Sequence, residues 1–287
     1  MSASLNRCQP LLGTFVEISL QADRDEAELL RLSTAAFGQI RQIEQAMSFH
    51  RADSELSELN RNAAQRPHSV SPDLRAVLME AMWLSRFSGG LFDVTVAAKL
   101  VASGELPDVG IDADERACWT DIDLQGASVR FARPLLIDLG GIAKGYAVDR
   151  AMTEIPEDVR CTINAGGDLR MNHWQGQSVA LRIPQNDELV EVEMRQAAVA
   201  SSVSTQPDRQ SLIIDPRLGE GVNDVRNYSV FASTAMRADG LTKIAVLGQR
   251  RGDGNLIRKA GGQALMVDAS GTITELSSPP PQHSVCT

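Results

Sequence analysis

Asp138-Leu139-Gly140-Gly141-Ile142-Ala143-Lys144-Gly145 gathers more chemistry-bearing residues than any other stretch of this 287-residue chain. It follows the apolar run Leu135-Leu136-Ile137 and reads as a strand, a glycine turn and the start of a helix running towards Met152. Backbone N–H groups at such a turn can hold a phosphate. Gly140 and Gly145 have the spacing of P-loop glycines, but Tyr146 stands where that motif needs its lysine, and the dinucleotide-binding glycine pattern is absent. A P-loop NTPase and an ordinary dehydrogenase are thereby excluded. Glycine spacing alone leaves open a tight turn carrying a solvated Lys144.

Similar clusters recur in Asn164-Ala165-Gly166-Gly167-Asp168, Ile214-Asp215-Pro216-Arg217 and Ala238-Asp239-Gly240. Each aspartate by itself reads as a turn former or cap. Converging on one site, such carboxylates could hold a hard cation while backbone amides hold phosphates, the pairing that phosphoanhydride chemistry needs.

The elements that must position these residues are partly legible. Phe15 to Leu20 reads as a strand, and Asp25 to Met47 carries Leu29, Leu32, Ala36, Ile40, Ile43 and Met47 at helical steps. Ser71 as N-cap and Pro72 at the first helical position open a second helix, which stops at Gly89-Gly90. Short apolar runs at Leu135–Ile137, Cys161–Ile163, Leu212–Ile214 and Ile244–Leu247 read as strands, as do Val179–Ile183 and Leu189–Met194. The expectation is one α+β domain over residues 1–276 with a mostly antiparallel sheet and packed helices. The Ser277-Ser278-Pro279-Pro280-Pro281 segment opens a tail, 277–287, expected to be disordered.

Composition narrows the partners. Lys+Arg 28 against Asp+Glu 37 gives a net charge of -9, which repels a polyanion, so nucleic acid is not expected. Only 4% of residues are aromatic, too few for extended base or sugar stacking. The first residues contain no apolar signal core, and no stretch approaches the roughly 18 apolar residues of a membrane helix. A cytoplasmic protein without membrane insertion is expected, with Cys8 an ordinary thiol. Cys8, Cys118, Cys161 and Cys286 are as scattered as His50, His68, His173 and His283, so neither zinc nor a Cys/His nucleophile pair is supported.

Taken together, Leu11–Phe15, Met47–Leu56, Ser88–Thr95, Asp138–Asp149, Asn164–Asp168, Ile213–Arg217 and Ala235–Gly248 resemble, in order and almost end to end, the ApbE-type flavin transferase family. That family splits FAD and attaches its FMN half to a Ser or Thr of a target protein, releasing AMP, on a T-fold-like domain. The resemblance implies flavin-binding positions at Leu12, His50, Leu91, Phe92, Asp93, Asp138, Lys144 and Ile214. Asp239 and Lys144 are the implied catalytic residues. Magnesium ligands map to Gly141, through its carbonyl, and to Asp239 and Thr242. Leu12 stands where the family usually has Met, and His50 where an aromatic ring is common; both keep bulk against a ring, so the flavin is expected to rest on aliphatic walls.

The chain departs from the family at Lys243, where an oxygen ligand such as Thr is common. An ammonium cannot ligate magnesium. Lys243 could point away while Asp239 and Thr242 hold a looser metal, could occupy the metal's place and neutralise the pyrophosphate, or could be a snorkelling surface lysine. Leu212 replaces a common His, Leu218 a Thr and Val203 a Gly. Loss of that His as a base would cost on the order of 10²–10⁴ in rate. An FAD:protein FMN transferase leads, with an FAD pyrophosphatase and a non-catalytic flavin-binding protein as alternatives.

Overall fold

The computed structural model describes residues 3–185, 188–203, 213–252 and 255–276. The tail 277–287 and Leu212 lie outside the described residues. Eight strands form the central sheet: β1 (Ala3–Leu11), β2 (Thr14–Ala22), β3 (Arg160–Ala165), β4 (Asp168–Met171), β5 (Ala198–Val203), β6 (Asn227–Ala232), β7 (Gln263–Val267) and β8 (Ile273–Glu275). They lie side by side in chain order, and every neighbouring pair is antiparallel. The α+β reading with an antiparallel sheet therefore holds. The helices are α1 (Glu26–Met47), α2 (Glu55–Asn62), α3 (Pro72–Phe87), α4 (Ala97–Ala102), α5 (Ala143–Met152), α6 (Ala235–Gln249) and α7 (Asn255–Lys259). Among the described residues no helix is long and apolar enough to cross a membrane.

The sheet's two faces are built differently. On β2, Val16, Ile18 and Leu20 are buried while Phe15, Glu17, Ser19 and Gln21 are exposed, the period of two expected of a half-buried strand. The inward set meets α1, whose buried stripe is Leu29, Ala36, Phe37, Ile40, Ile43 and Met47. Each such side chain removed from water contributes roughly 1.5–3 kcal/mol. Asp25 caps α1 through Glu28 N at 2.7 Å, and Ser71 caps α3 through Leu74 N at 3.2 Å, with Pro72 in the first turn. On the opposite face, Leu169, Met171, Val199, Phe231, Leu265 and Val267 pack under Leu181 and Ile183, from a hairpin of Ser178–Arg182 and Leu189–Glu193.

Two expectations are corrected. Ile244–Leu247 is not a strand but lies in the C-terminal half of α6. Leu241, Ile244, Ala245, Val246 and Leu247 are all buried, so no polar stripe betrays the helical period, and a short apolar run alone cannot separate helix from strand. Leu135–Ile137 forms no strand and joins no sheet. The buried Asn60 side chain of α2 takes a neighbouring strand's role, donating to the Ile137 carbonyl and accepting from the Ile137 N–H, both at 3.0 Å.

Candidate functional site

Asn60 thereby fixes the backbone just before Asp138, and the Asp138 N–H donates to the Val94 carbonyl at 3.0 Å. The Asp138 carboxylate accepts from Gly140 N at 3.1 Å, which curls the loop back before α5 begins at Ala143. Burial, the largest influence, pushes the Asp138 carboxyl above the usual carboxylate range; the hydrogen bond from the Gly140 N–H opposes it most.

Lys144, in the first turn of α5, crosses to two buried carboxylates. Its Nζ donates to Asp168 Oδ2 at 2.6 Å and reaches Asp239 Oδ2 at 3.4 Å. Asp168 begins β4, just past the Gly166-Gly167 turn, where both glycines have positive φ (62° and 103°). Asp239 lies one turn into α6 and is 1% exposed. Its Oδ2 also accepts from Gly145 N at 3.3 Å, and its Oδ1 accepts from Lys243 Nζ at 2.5 Å.

Two contacts lock α5 against α6. A Cβ on Gly145 would lie 2.2 Å from the Ala235 carbonyl oxygen, so only glycine permits the approach. Asp149 of α5 accepts from Ala235 N and Met236 N, both at 2.9 Å, and from Arg170 at 2.6 Å, capping α6 from outside.

The resulting group holds two carboxylates and two ammoniums. Burial opposes the Lys144 charge most strongly, but Asp168 and Asp239 together outweigh it and raise its pKa. Burial likewise opposes ionised Asp239, yet Lys144 and Lys243 prevail and hold its carboxyl below the ordinary range. Asp168 goes the other way, pushed up to about 6 by burial first and by repulsion from Asp239 next.

Beside this group lies a pocket of about 70 Å³, lined among others by Leu91, Phe92, Asp93, Asp138, Gly141, Ile214 and Lys243. A larger cavity of about 280 Å³ is lined by His50, Phe49, Asn60, Arg61, Pro107, Val109 and Ile111, among others. The chain thus brings most of the implied flavin positions to one pocket and His50 to the other. Leu12 and Lys144 line neither: Lys144 turns to Asp168 and Asp239, and Leu12 sits at the β1–β2 hairpin tip with φ 57°, its N–H donating to Glu44 at 2.6 Å. Asp93 accepts from Thr95 N at 2.9 Å and from Trp119 N at 3.2 Å. Sequence reasoning missed Asp168 as the partner of Lys144, although its motif was visible. It also missed Lys99 and Arg217, which tie the Ile214–Arg217 segment down through the Pro216 carbonyl at 2.9 Å and the Gly89 carbonyl at 2.6 Å; no local pattern signals such long-range bonds.

The donor set does not fit magnesium at Gly141, Asp239 and Thr242. Both Asp239 carboxylate oxygens already accept from N–H donors, and the buried Thr242 hydroxyl donates back to the Asp239 carbonyl at 2.7 Å. A divalent ion beside Asp239 would also stand next to the Lys243 ammonium, whose like charge offsets the attraction of that carboxylate.

Comparison with known proteins accords with this architecture. A Vibrio cholerae protein named FAD:protein FMN transferase is 28% identical over 271 residues, spanning 85% of this chain and 81% of the relative. A Treponema pallidum protein of the same name is 27% identical, spanning 91% and 84%. Among solved structures, the flavin transferase ApbE of Vibrio cholerae superposes with a TM-score of 0.81 at 25% identity, covering 96% of this chain and 97% of that one. The ApbE protein of Thermotoga maritima gives 0.82 at 21% identity, covering 95% and 97%. The ApbE family model matches residues 12–277, nearly the whole chain, and the chain belongs to the ApbE family.

Proposed function

We propose that the protein is an FAD:protein FMN transferase. The observation that carries this reading is the charged group of Lys144, Asp168, Asp239 and Lys243, set against a partly apolar pocket and the Asp138–Gly145 loop. A diphosphate lying over the loop meets the Lys243 ammonium, while Leu91, Phe92 and Ile214 offer apolar walls to a ring system. Leu12, at the hairpin tip, is left as an outlying flavin contact.

In the reaction, a Ser or Thr hydroxyl oxygen of the target protein bonds to the FMN-side phosphorus. The bond from that phosphorus to the bridging oxygen breaks, AMP departs with that oxygen and its electron pair, and the hydroxyl proton is released. Such transfers are catalysed chiefly by positioning and by stabilising charge that develops on the phosphoryl oxygens. Lys144 keeps Asp239 ionised and oriented, and Asp239 in turn holds Lys243 at the pocket wall. The donor set does not suit the Mg²⁺ that the resemblance implies.

The test is incubation with FAD and a protein bearing an acceptor Ser or Thr, followed by in-gel fluorescence for covalent flavin. A fluorescent band that disappears when the acceptor residue becomes Ala supports transfer. Bound, intact FAD with no band across several acceptors sinks it, and release of free FMN and AMP without an acceptor indicates hydrolysis instead.

A further inference from the structure

We propose that Lys243 is a built-in cation that stands in for a divalent metal at this site, so that the protein takes up FAD without metal. The inference rests on the flavin reading above and deepens it. Lys243 follows Asp239 by four residues on α6, which places both side chains on one helix face. Its Nζ donates to Asp239 Oδ1 and, at 3.2 Å, to the Asp239 main-chain carbonyl. Two oxygens of the same residue therefore hold one ammonium.

The stem of Lys243 fixes where that ammonium goes. A Cβ on Gly141 would lie 3.0 Å from Lys243 Cε, so the lysine passes directly over the glycine turn. Its side chain is 21% exposed and lines the pocket with Asp138 and Gly141. Gly141 and Asp239, two of the positions mapped for a metal, are thus in contact with the lysine itself. The third, Thr242, already donates its hydroxyl proton to the Asp239 main-chain carbonyl, the same oxygen that Lys243 holds.

Charge accounting agrees. Lys144 and Lys243 balance Asp168 and Asp239, so the Asp239 charge that a divalent ion would need is already neutralised by the two ammoniums. The diphosphate of FAD would instead meet a cation already anchored. Lys243 donates at most three hydrogen bonds, two of them directed at Asp239, which leaves one for a phosphate oxygen.

The test compares the wild-type chain with Lys243→Thr, which restores a hydroxyl, and Lys243→Arg, which keeps the charge. FAD affinity is measured by flavin-fluorescence titration in EDTA and in magnesium, with far-UV circular dichroism showing that each variant is folded. Magnesium is expected to leave the FAD affinity of wild type, and that of Lys243→Arg, unchanged. Lys243→Thr is expected to lose about tenfold or more in EDTA, the worth of a charge-assisted hydrogen bond, and to recover it in magnesium. A wild-type affinity that rises about tenfold with magnesium, or a Lys243→Thr affinity in EDTA equal to wild type, overturns the proposal.

A flavin-free arm uses Mn²⁺ and electron paramagnetic resonance. The wild type should leave the spectrum of free Mn²⁺ unchanged, whereas Lys243→Thr should bind the ion. Wild-type Mn²⁺ binding that is abolished by Asp239→Asn overturns the proposal while leaving the flavin reading standing. Failure of every variant to bind FAD in either condition removes the flavin reading, and the proposal with it.

Discussion

Lys243 Nζ stands 2.5 Å from Oδ1 of Asp239, one turn earlier on the same helix. Lys144 reaches the other carboxylate oxygen from α5 at 3.4 Å. Asp239 is therefore clamped between two ammoniums contributed by different helices, and the packing of those helices sets the geometry of the pocket wall.

Replacing Lys144 with Met should uncover this dependence. Asp168 and Asp239 would share a buried site without their common cation, a loss of about 3 kcal/mol in urea unfolding. The double variant Lys144→Met with Asp168→Asn should regain part of that stability, because the amide needs no countercharge. Equal stability of the single variant and wild type would show that the pairing contributes nothing.

Gly145→Ala probes the approach of the two helices. The added methyl would meet the Ala235 carbonyl at 2.2 Å, so α5 and α6 must part. The expected cost is about 1–3 kcal/mol. For a chain of this size that lowers Tm by roughly 2–10 °C. FAD binding should weaken as well, since Asp239 loses the Gly145 N–H. An unchanged Tm in differential scanning calorimetry contradicts the close contact.

The pH dependence of stability should carry the signature of Asp168. Its carboxyl is raised from 3.8 to about 6 in the folded protein, so the folded state binds the proton more tightly than the unfolded chain. The stabilisation is full below the unfolded value and is lost as pH rises towards 6. Relative to Asp168→Asn, which cannot titrate, the wild type should lose on the order of 1–3 kcal/mol between pH 4 and 6. Urea unfolding at intervals across that range reads the difference; a flat or opposite trend contradicts the assignment.

What the sequence made legible was local. The strand from Phe15, the helical steps of α1 and the Ser71 cap of α3 lie within a few residues of what they specify, and those elements appear as expected. Ile244–Leu247 misled because α6 is buried on nearly every side, which erases the stripe that marks a helix. Leu135–Ile137 misled because a side chain, Asn60, satisfies its backbone where a strand would. Within the site, the glycine turn and its lysine stood out by composition. The pairing of Lys144 with Asp168 depends on the β3–β4 register and on helix packing, neither of which is written in local spacing.

The most direct measurement of the central claim follows FAD and its products by chromatography, beside the intact mass of an acceptor protein, in buffer containing EDTA. The account expects AMP to form in equal amount to acceptor-bound FMN, with no free FMN and no requirement for magnesium. FAD recovered unchanged from a folded protein that binds it, or turned over only when magnesium is added, would contradict it.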